Sequence, residues 1–228
     1  MEGMTEHPPI ASSARRTAEP HDYLPAAGRD ILLPFYDRFT ALLGVPGLHR
    51  TLIEQADLAE GQRLLEIGCG TGNLSLLARR TRPGVEVVGS DPDPLALARA
   101  RRKARGLDQI SFEGGYAQEL PYADGSFDRA FSALMLHHLD RDTKVAAAAE
   151  LLRVLRPGGS LHVVDFAGSQ AGLHGALTRR MARAGHLADN ADGGPVRLLD
   201  AAGFACEVLG TRRHPVLGEV TFYRATRP

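Results

Sequence analysis

Leu64-Leu65-Glu66-Ile67-Gly68-Cys69-Gly70-Thr71-Gly72 decides the fold. Arg63–Ile67, with Leu64, Leu65 and Ile67, predicts a buried strand, and Asn73 to Arg80 predicts a helix. Between them, Gly68 and Gly70 let the backbone turn tightly and approach a ligand without side-chain clashes, while Gly72 permits close helix–sheet packing. Working outward, the same alternation recurs. Strands are predicted at Val85–Gly89, Ile110–Glu113, Phe127–Phe131, Ser160–Phe166, Ala205–Leu209 and Val220–Ala225. Helices are predicted at Pro94–Arg105, Lys144–Leu155 and Pro195–Ala202, with Arg156-Pro157-Gly158-Gly159 closing the second of these. Repeated strand–helix units of this kind predict an α/β fold, a doubly wound, mostly parallel sheet with helices on both faces. In such sheets a ligand crevice forms at the carboxyl ends of the strands.

Asp91 follows the second strand, nineteen residues after Gly72. An acid at that place commonly meets ribose hydroxyls. A pyrophosphate-bearing dinucleotide fits less well. Asn73 stands where its motif needs Gly or Ala, and the Glu66 carboxylate would repel phosphate. A cationic, phosphate-free nucleoside fits better. S-adenosylmethionine (SAM) carries a sulfonium and an ammonium for Glu66 to compensate, and a carboxylate for the glycine-turn N–H groups.

These residues resemble the class I SAM-dependent methyltransferases, particularly those related to quinone biosynthesis. The resemblance runs over residues 60–165 in order: Leu65 to Gly72, Val88-Gly89-Ser90-Asp91-Pro92-Asp93, Leu120-Pro121-Tyr122-Ala123-Asp124-Gly125-Ser126-Phe127-Asp128, Leu136-His137-His138-Leu139 and Leu155-Arg156-Pro157-Gly158-Gly159. It implies a seven-stranded sheet with a final antiparallel strand, under N-terminal covering helices. It also implies that Glu66, Gly68, Cys69, Gly70 and Gly72 surround the methionine part of SAM. Asp91 would hold the ribose, Pro92 would lie beside the adenosine, and Asp93 would support the loop. Tyr116 and Ala117 would approach adenine, although Tyr116 replaces an acid common in the family. Ser132 would lie at the fourth-strand end. On the acceptor side, His137 and Asp165 end the fourth and fifth strand regions and are candidates to orient or polarise a methyl acceptor. Neither needs to form a covalent bond, because transfer from SAM requires only a positioned nucleophile.

The remainder of the chain predicts the setting. Residues 1–22 read as a flexible arm and 23–57 as a helical cap containing Phe35 and Tyr36. Residues 58–228 form the main domain, with 167–194 an insertion suited to a substrate lid. The 228 residues contain 43% hydrophobic residues, enough for a core. Lys plus Arg (27) equal Asp plus Glu (27), which argues against broad attraction to nucleic acid or anionic lipid. Cys69 and Cys206 supply neither a disulfide scaffold nor a thiolate metal site, so no metal is predicted. No apolar run reaches the length of a membrane span, and the first residues lack a leader pattern. The expectation is a cytoplasmic enzyme that binds SAM and methylates a small molecule. Protein or nucleic-acid methylation and a non-catalytic SAM-binding regulator are the alternatives. Oligomeric state is left open.

Overall fold

The computed structural model describes Asp37 and residues 44–167, 193–214 and 217–228. The N-terminal arm, Phe35, Tyr36 and residues 168–192 of the insertion lie outside the described residues. The seven strands are β1 (Arg63–Ile67), β2 (Glu86–Asp91), β3 (Ile110–Gly114), β4 (Phe127–Ala133), β5 (Leu155–Phe166), β6 (Ala205–His214) and β7 (Gly218–Thr226). They form one sheet in the order β3-β2-β1-β4-β5-β7-β6. The first five pair in parallel, and β7 runs antiparallel between β5 and β6. The α/β class, the seven strands and the antiparallel strand all agree with the sequence reading.

Among the described residues, five helices flank the sheet: α1 (Val45–Ala56), α2 (Asn73–Thr81), α3 (Pro94–Lys103), α4 (Arg141–Val154) and α5 (Gly194–Ala201). Their apolar positions divide the core into two main layers. Leu48, Leu52, Leu74 and Ala78 of α1 and α2 pack with Leu64, Phe131 and Phe222. Ala148, Leu151 and Leu199 of α4 and α5 pack with Leu65, Leu161 and Tyr223. Neighbouring residues of β1, Leu64 and Leu65, thus enter opposite layers, as the period of two in a strand requires. This explains why the adjacent residues Leu64 and Leu65 are both apolar.

Two departures from the sequence reading have local causes. Leu155 to Gly159 belong to β5 rather than to a helix-closing turn. Pairing with β4 jumps from Phe127–Leu155 to Arg129–Ser160, making a bulge. Pro157 has no N–H for a regular ladder and is accommodated in that irregularity. A β-carbon on Gly159 would lie 2.8 Å from the Arg156 carbonyl oxygen, so glycine is needed there. β6 continues past Leu209 to His214 because pairing with β7, not burial, defines it. It is an edge strand with exposed positions throughout most of its length.

The sheet places the functional crevice. From β1 the chain winds outward through β2 and β3, then crosses back to β4 and β5. The switch between β1 and β4 opens a crevice at their carboxyl ends, beside the glycine turn. Asp93 caps α3 by accepting from the Leu95 and Ala96 N–H groups at 2.8 and 3.2 Å. Asp140 caps α4, accepting from the Thr143 N–H at 2.8 Å. Both caps line that crevice.

Candidate functional site

The crevice is a cavity of about 440 Å³, within the usual size of small-molecule sites. Its floor is the turn after β1. Gly68, Gly70 and Gly72 all have positive φ, the region that favours glycine. Their surroundings differ. A β-carbon on Gly70 would meet nothing within 4 Å, leaving an open backbone cradle, whereas one on Gly68 would run into Met135. Gly72 faces away from the cavity. A β-carbon there would lie 2.6 Å from the Phe112 ring and 3.0 Å from Ala100, so its role is helix–sheet packing.

Glu66 and Asp91 enter the cavity from the ends of β1 and β2. Glu66 is only 3% exposed and accepts a hydrogen bond from the Ser75 hydroxyl. Burial pushes its carboxyl up to about 8, against the lowering effect of Ser75. Asp91 accepts from the Gly70 N–H at 2.7 Å and the Asp93 N–H at 2.9 Å, tying the turn to the next strand. Burial raises its carboxyl too, offset in part by those two N–H groups. The Asp93 Oδ2 atom is buried and has no hydrogen-bond partner among the described residues. Pro92, Tyr116 and Ala117 continue the wall, together with Cys69. Burial holds the Cys69 thiol far above its ordinary range, which disqualifies it as a thiolate nucleophile.

Charge decides which ligand suits this wall. Glu66, Asp91, Asp93 and Asp140 line the cavity, and no Lys or Arg does so among the described residues. A pyrophosphate would meet uncompensated carboxylates. A ligand with cationic groups and sugar hydroxyls meets acceptors, including the orphaned Asp93 oxygen, while the open space at Gly70 lets a ligand come close to the backbone of the turn. The residues therefore fit SAM. When bound, that cofactor supplies an electrophilic methyl group. Among the described residues no group of His, Cys, Asp or Glu is arranged to hold a metal ion.

The remaining sequence candidates lie behind the wall. His137 and Asp165 come together: His137 Nδ1 is 2.7 Å from Asp165 Oδ1, with exposures of 2% and 0%. Asp165 also accepts from the His137 and Phe166 N–H groups at 3.2 and 2.8 Å. Burial opposes its charge, yet His137 holds the carboxyl below its ordinary value. Neither residue lines the cavity. His138 does, because residues 136–138 form a 3-10 turn that sends the two adjacent rings to different places. Ser132 is fully buried inside β4, and its hydroxyl has no partner among the described residues.

Two further contributors came from the N-terminal segment, where helical periodicity alone carried no sign of them. His49 reaches the cavity from α1 beside Val45, and burial lowers its imidazole to about 4, leaving the ring neutral. Asp37 grips the outer side of the glycine turn. Leu134 also lines the cavity, with φ 52° at the end of β4. A non-glycine residue in this conformation costs on the order of 1 kcal/mol and commonly marks a functional site.

The pH dependence of cofactor binding follows from Glu66. Its carboxyl is mostly protonated near neutral pH in the ligand-free fold, whereas a cationic ligand favours the charged form. Binding should therefore release a proton. SAM affinity is expected to rise between about pH 6.5 and 8, by at most about tenfold per pH unit, and then level off. Glu66→Gln should flatten the profile. Titration calorimetry in buffers of different ionisation enthalpy checks this; equal SAM affinity across the range would contradict it. For stability the sign is opposite. The folded state retains a proton that the unfolded chain releases above about 4.5, so this group's contribution falls as pH rises towards 8.

Comparison with known proteins gives the same answer as the geometry. Residues 64–159 match the model of a methyltransferase domain. A demethylmenaquinone methyltransferase of Thermus thermophilus is 37% identical over 153 residues, covering 65% of this chain and 68% of the relative. The methyltransferase GfsG of Streptomyces halstedii is 41% identical over 118 residues, covering 50% of this chain but only 41% of its own length. The chain thus spans less than half of that second relative. The solved structure of a SAM-dependent methyltransferase from Methanosarcina mazei superimposes with TM-score 0.61 at 25% identity, covering 77% of this chain and 96% of that one. An acidic cavity around an open glycine turn, on this sheet and with these relatives, places the chain in the family of class I SAM-dependent methyltransferases.

Proposed function

We propose that the chain methylates a small hydroxylated aromatic or quinol-like molecule, using SAM as donor and releasing S-adenosylhomocysteine. The acidic, Lys- and Arg-free wall around the Gly70 cradle carries the donor half of this reading. The acceptor half rests on the apolar part of the lining. Val45, Leu134, Met135 and Leu139 offer an apolar surface, and His49 and His138 add two polar rings. Such a surface suits a flat, largely apolar molecule with one or two polar substituents. The demethylmenaquinone methyltransferase relative supports a quinol-like acceptor.

In this reading His138 and His49 contact the acceptor and hold its reactive hydroxyl. A neutral ring nitrogen accepts that hydrogen bond and takes the proton as the oxygen or its conjugated carbon becomes nucleophilic. His137 and Asp165 act one layer deeper, fixing the turn that presents His138. Glu66, Gly68, Cys69, Gly70, Asp91, Pro92, Tyr116 and Ala117 form the donor side, with Gly72 and Ser132 supporting it from the packed interior. Residues 58–228 serve as the catalytic domain.

Among the described residues no helix is long and apolar enough to cross a membrane. With both cysteines free, this supports a cytoplasmic assignment. The deciding experiment measures S-adenosylhomocysteine formation with a panel of quinols, phenols, amines and thiols. Turnover is expected with quinols or phenols. Turnover confined to amines or thiols would reject the acceptor class. Tight SAM binding without turnover of any acceptor, including protein and nucleic acid, would favour a regulatory binder.

A further inference from the structure

We propose that Asp37 is a positioning residue for the cofactor, holding the outer side of the glycine turn through Thr71, Asn73 and Lys103. Nothing about the family motif requires this group, which lies 34 residues before Thr71 in the chain. Its Oδ1 atom accepts from the Thr71 hydroxyl and from Asn73 Nδ2, the latter at 2.9 Å. Its Oδ2 atom accepts from Lys103 Nζ at 2.9 Å, with Arg99 Nε at 3.9 Å. Lys103 also donates to Asn73 Oδ1 at 2.7 Å, closing the network. One carboxylate thereby joins the N-terminal segment, the turn at the start of α2 and the last turn of α3.

The location gives the contacts their purpose. Thr71 and Asn73 flank Gly72 and line the cavity. Gly72, the residue preceding α2, has no side chain with which to cap it, and the first turn of α2 contains no acid. Helix starts favour negative charge and hydrogen-bond acceptors. Asp37 brings negative charge to this helix start from a distant part of the chain, accepting from the Thr71 and Asn73 side chains. Asp91 ties the inner side of the same turn through the Gly70 N–H. The turn is thus held from both sides, and its backbone is ordered before a ligand arrives. That preorganisation improves binding by removing the ordering that an unrestrained turn would undergo.

The charges are balanced for such a task. Both Asp37 and Lys103 are three-quarters buried at the side chain. Burial works against the Asp37 charge, but hydrogen bonds from Thr71 and Lys103 keep its carboxyl below the ordinary range. A fully exposed ion pair would contribute little. Here one carboxylate accepts three hydrogen bonds from groups attached to different elements.

The experiment compares the parent protein with Asp37→Ala, Asp37→Asn and Lys103→Met, using S-adenosylhomocysteine as the calorimetric probe. Amide hydrogen exchange is followed in the ligand-free protein. Asp37→Ala should weaken binding about tenfold or more, a factor corresponding to about 1.4 kcal/mol. Exchange should accelerate over residues 69–74 ahead of the rest of the sheet. The KM for SAM should rise with little change in kcat, and Asp37→Asn should recover part of the affinity. Binding within twofold of the parent in folded Asp37→Ala would overturn the proposal. So would an affinity loss accompanied by uniformly faster exchange throughout the protein, which would make Asp37 a general staple. If Asp37→Ala does not fold, Lys103→Met carries the same two readouts and the same criteria. Failure of the parent itself to bind the probe would instead contradict the cofactor assignment.

Discussion

Replacing Asp91 with alanine is expected to weaken S-adenosylhomocysteine binding by about two orders of magnitude, or about 3 kcal/mol. The carboxylate stands at the end of β2, lines the cavity and already accepts from the Gly70 and Asp93 N–H groups. Its removal takes away a charged acceptor for sugar hydroxyls and also releases the turn that forms the cradle. Asp91→Asn should fall between the two, since an amide retains one acceptor. Both variants should remain folded, because the strand ladder between β2 and its neighbours is untouched. Calorimetric affinity within threefold of the parent for folded Asp91→Ala would remove this residue from the cofactor site.

Asp165→Ala should act on stability instead, lowering it by about 3–5 kcal/mol. Three donors lose their acceptor in a fully buried place: the His137 and Phe166 N–H groups and the His137 ring. Urea denaturation monitored by circular dichroism measures the loss. The folded fraction should still bind S-adenosylhomocysteine with near-parent affinity, since neither member of the pair lines the cavity. The lowered Asp165 pKa gives this contribution an acid dependence. It is fully present above about 3.8 and is lost as the pH falls through the folded value. A variant that keeps parental stability but loses methyl transfer would instead make Asp165 a direct participant in the reaction.

These two residues mark what the sequence could express. Asp91 was legible because β1, the turn and β2 are contiguous, so a short spacing fixes a spatial relation. β1 itself was readable because Leu64, Leu65 and Ile67 enter layers on both faces of the sheet and are apolar. His137 and Asp165 were legible as candidates from their places after β4 and at the end of β5, but their contact was not. Which of two adjacent histidines faces the cavity was not. That choice depends on a 3-10 turn of three residues, whose side-chain directions differ from those of an extended segment. His49 and Asp37 were less visible still. Each reaches the site from the N-terminal region by tertiary docking, and no periodicity encodes where a helix lands. The long edge strand β6 was underestimated for a related reason: exposed residues carry no apolar pattern, and its pairing partner lies later in the chain.

The order of the strands has a consequence for how the chain is made. β7 follows β6 in sequence but occupies an interior place, between β5 and β6. During synthesis β6 has no partner until residues 218–226 leave the ribosome, and the β5 edge stays uncovered for the same interval. Arg227 then fastens the arrangement, its guanidinium donating to the carbonyls of Leu152, Arg153 and Leu155. The nascent chain therefore carries an open, apolar sheet edge until β7 has been translated. That edge is the natural point of engagement for a chaperone, and the place where a stalled or shortened product would begin to aggregate.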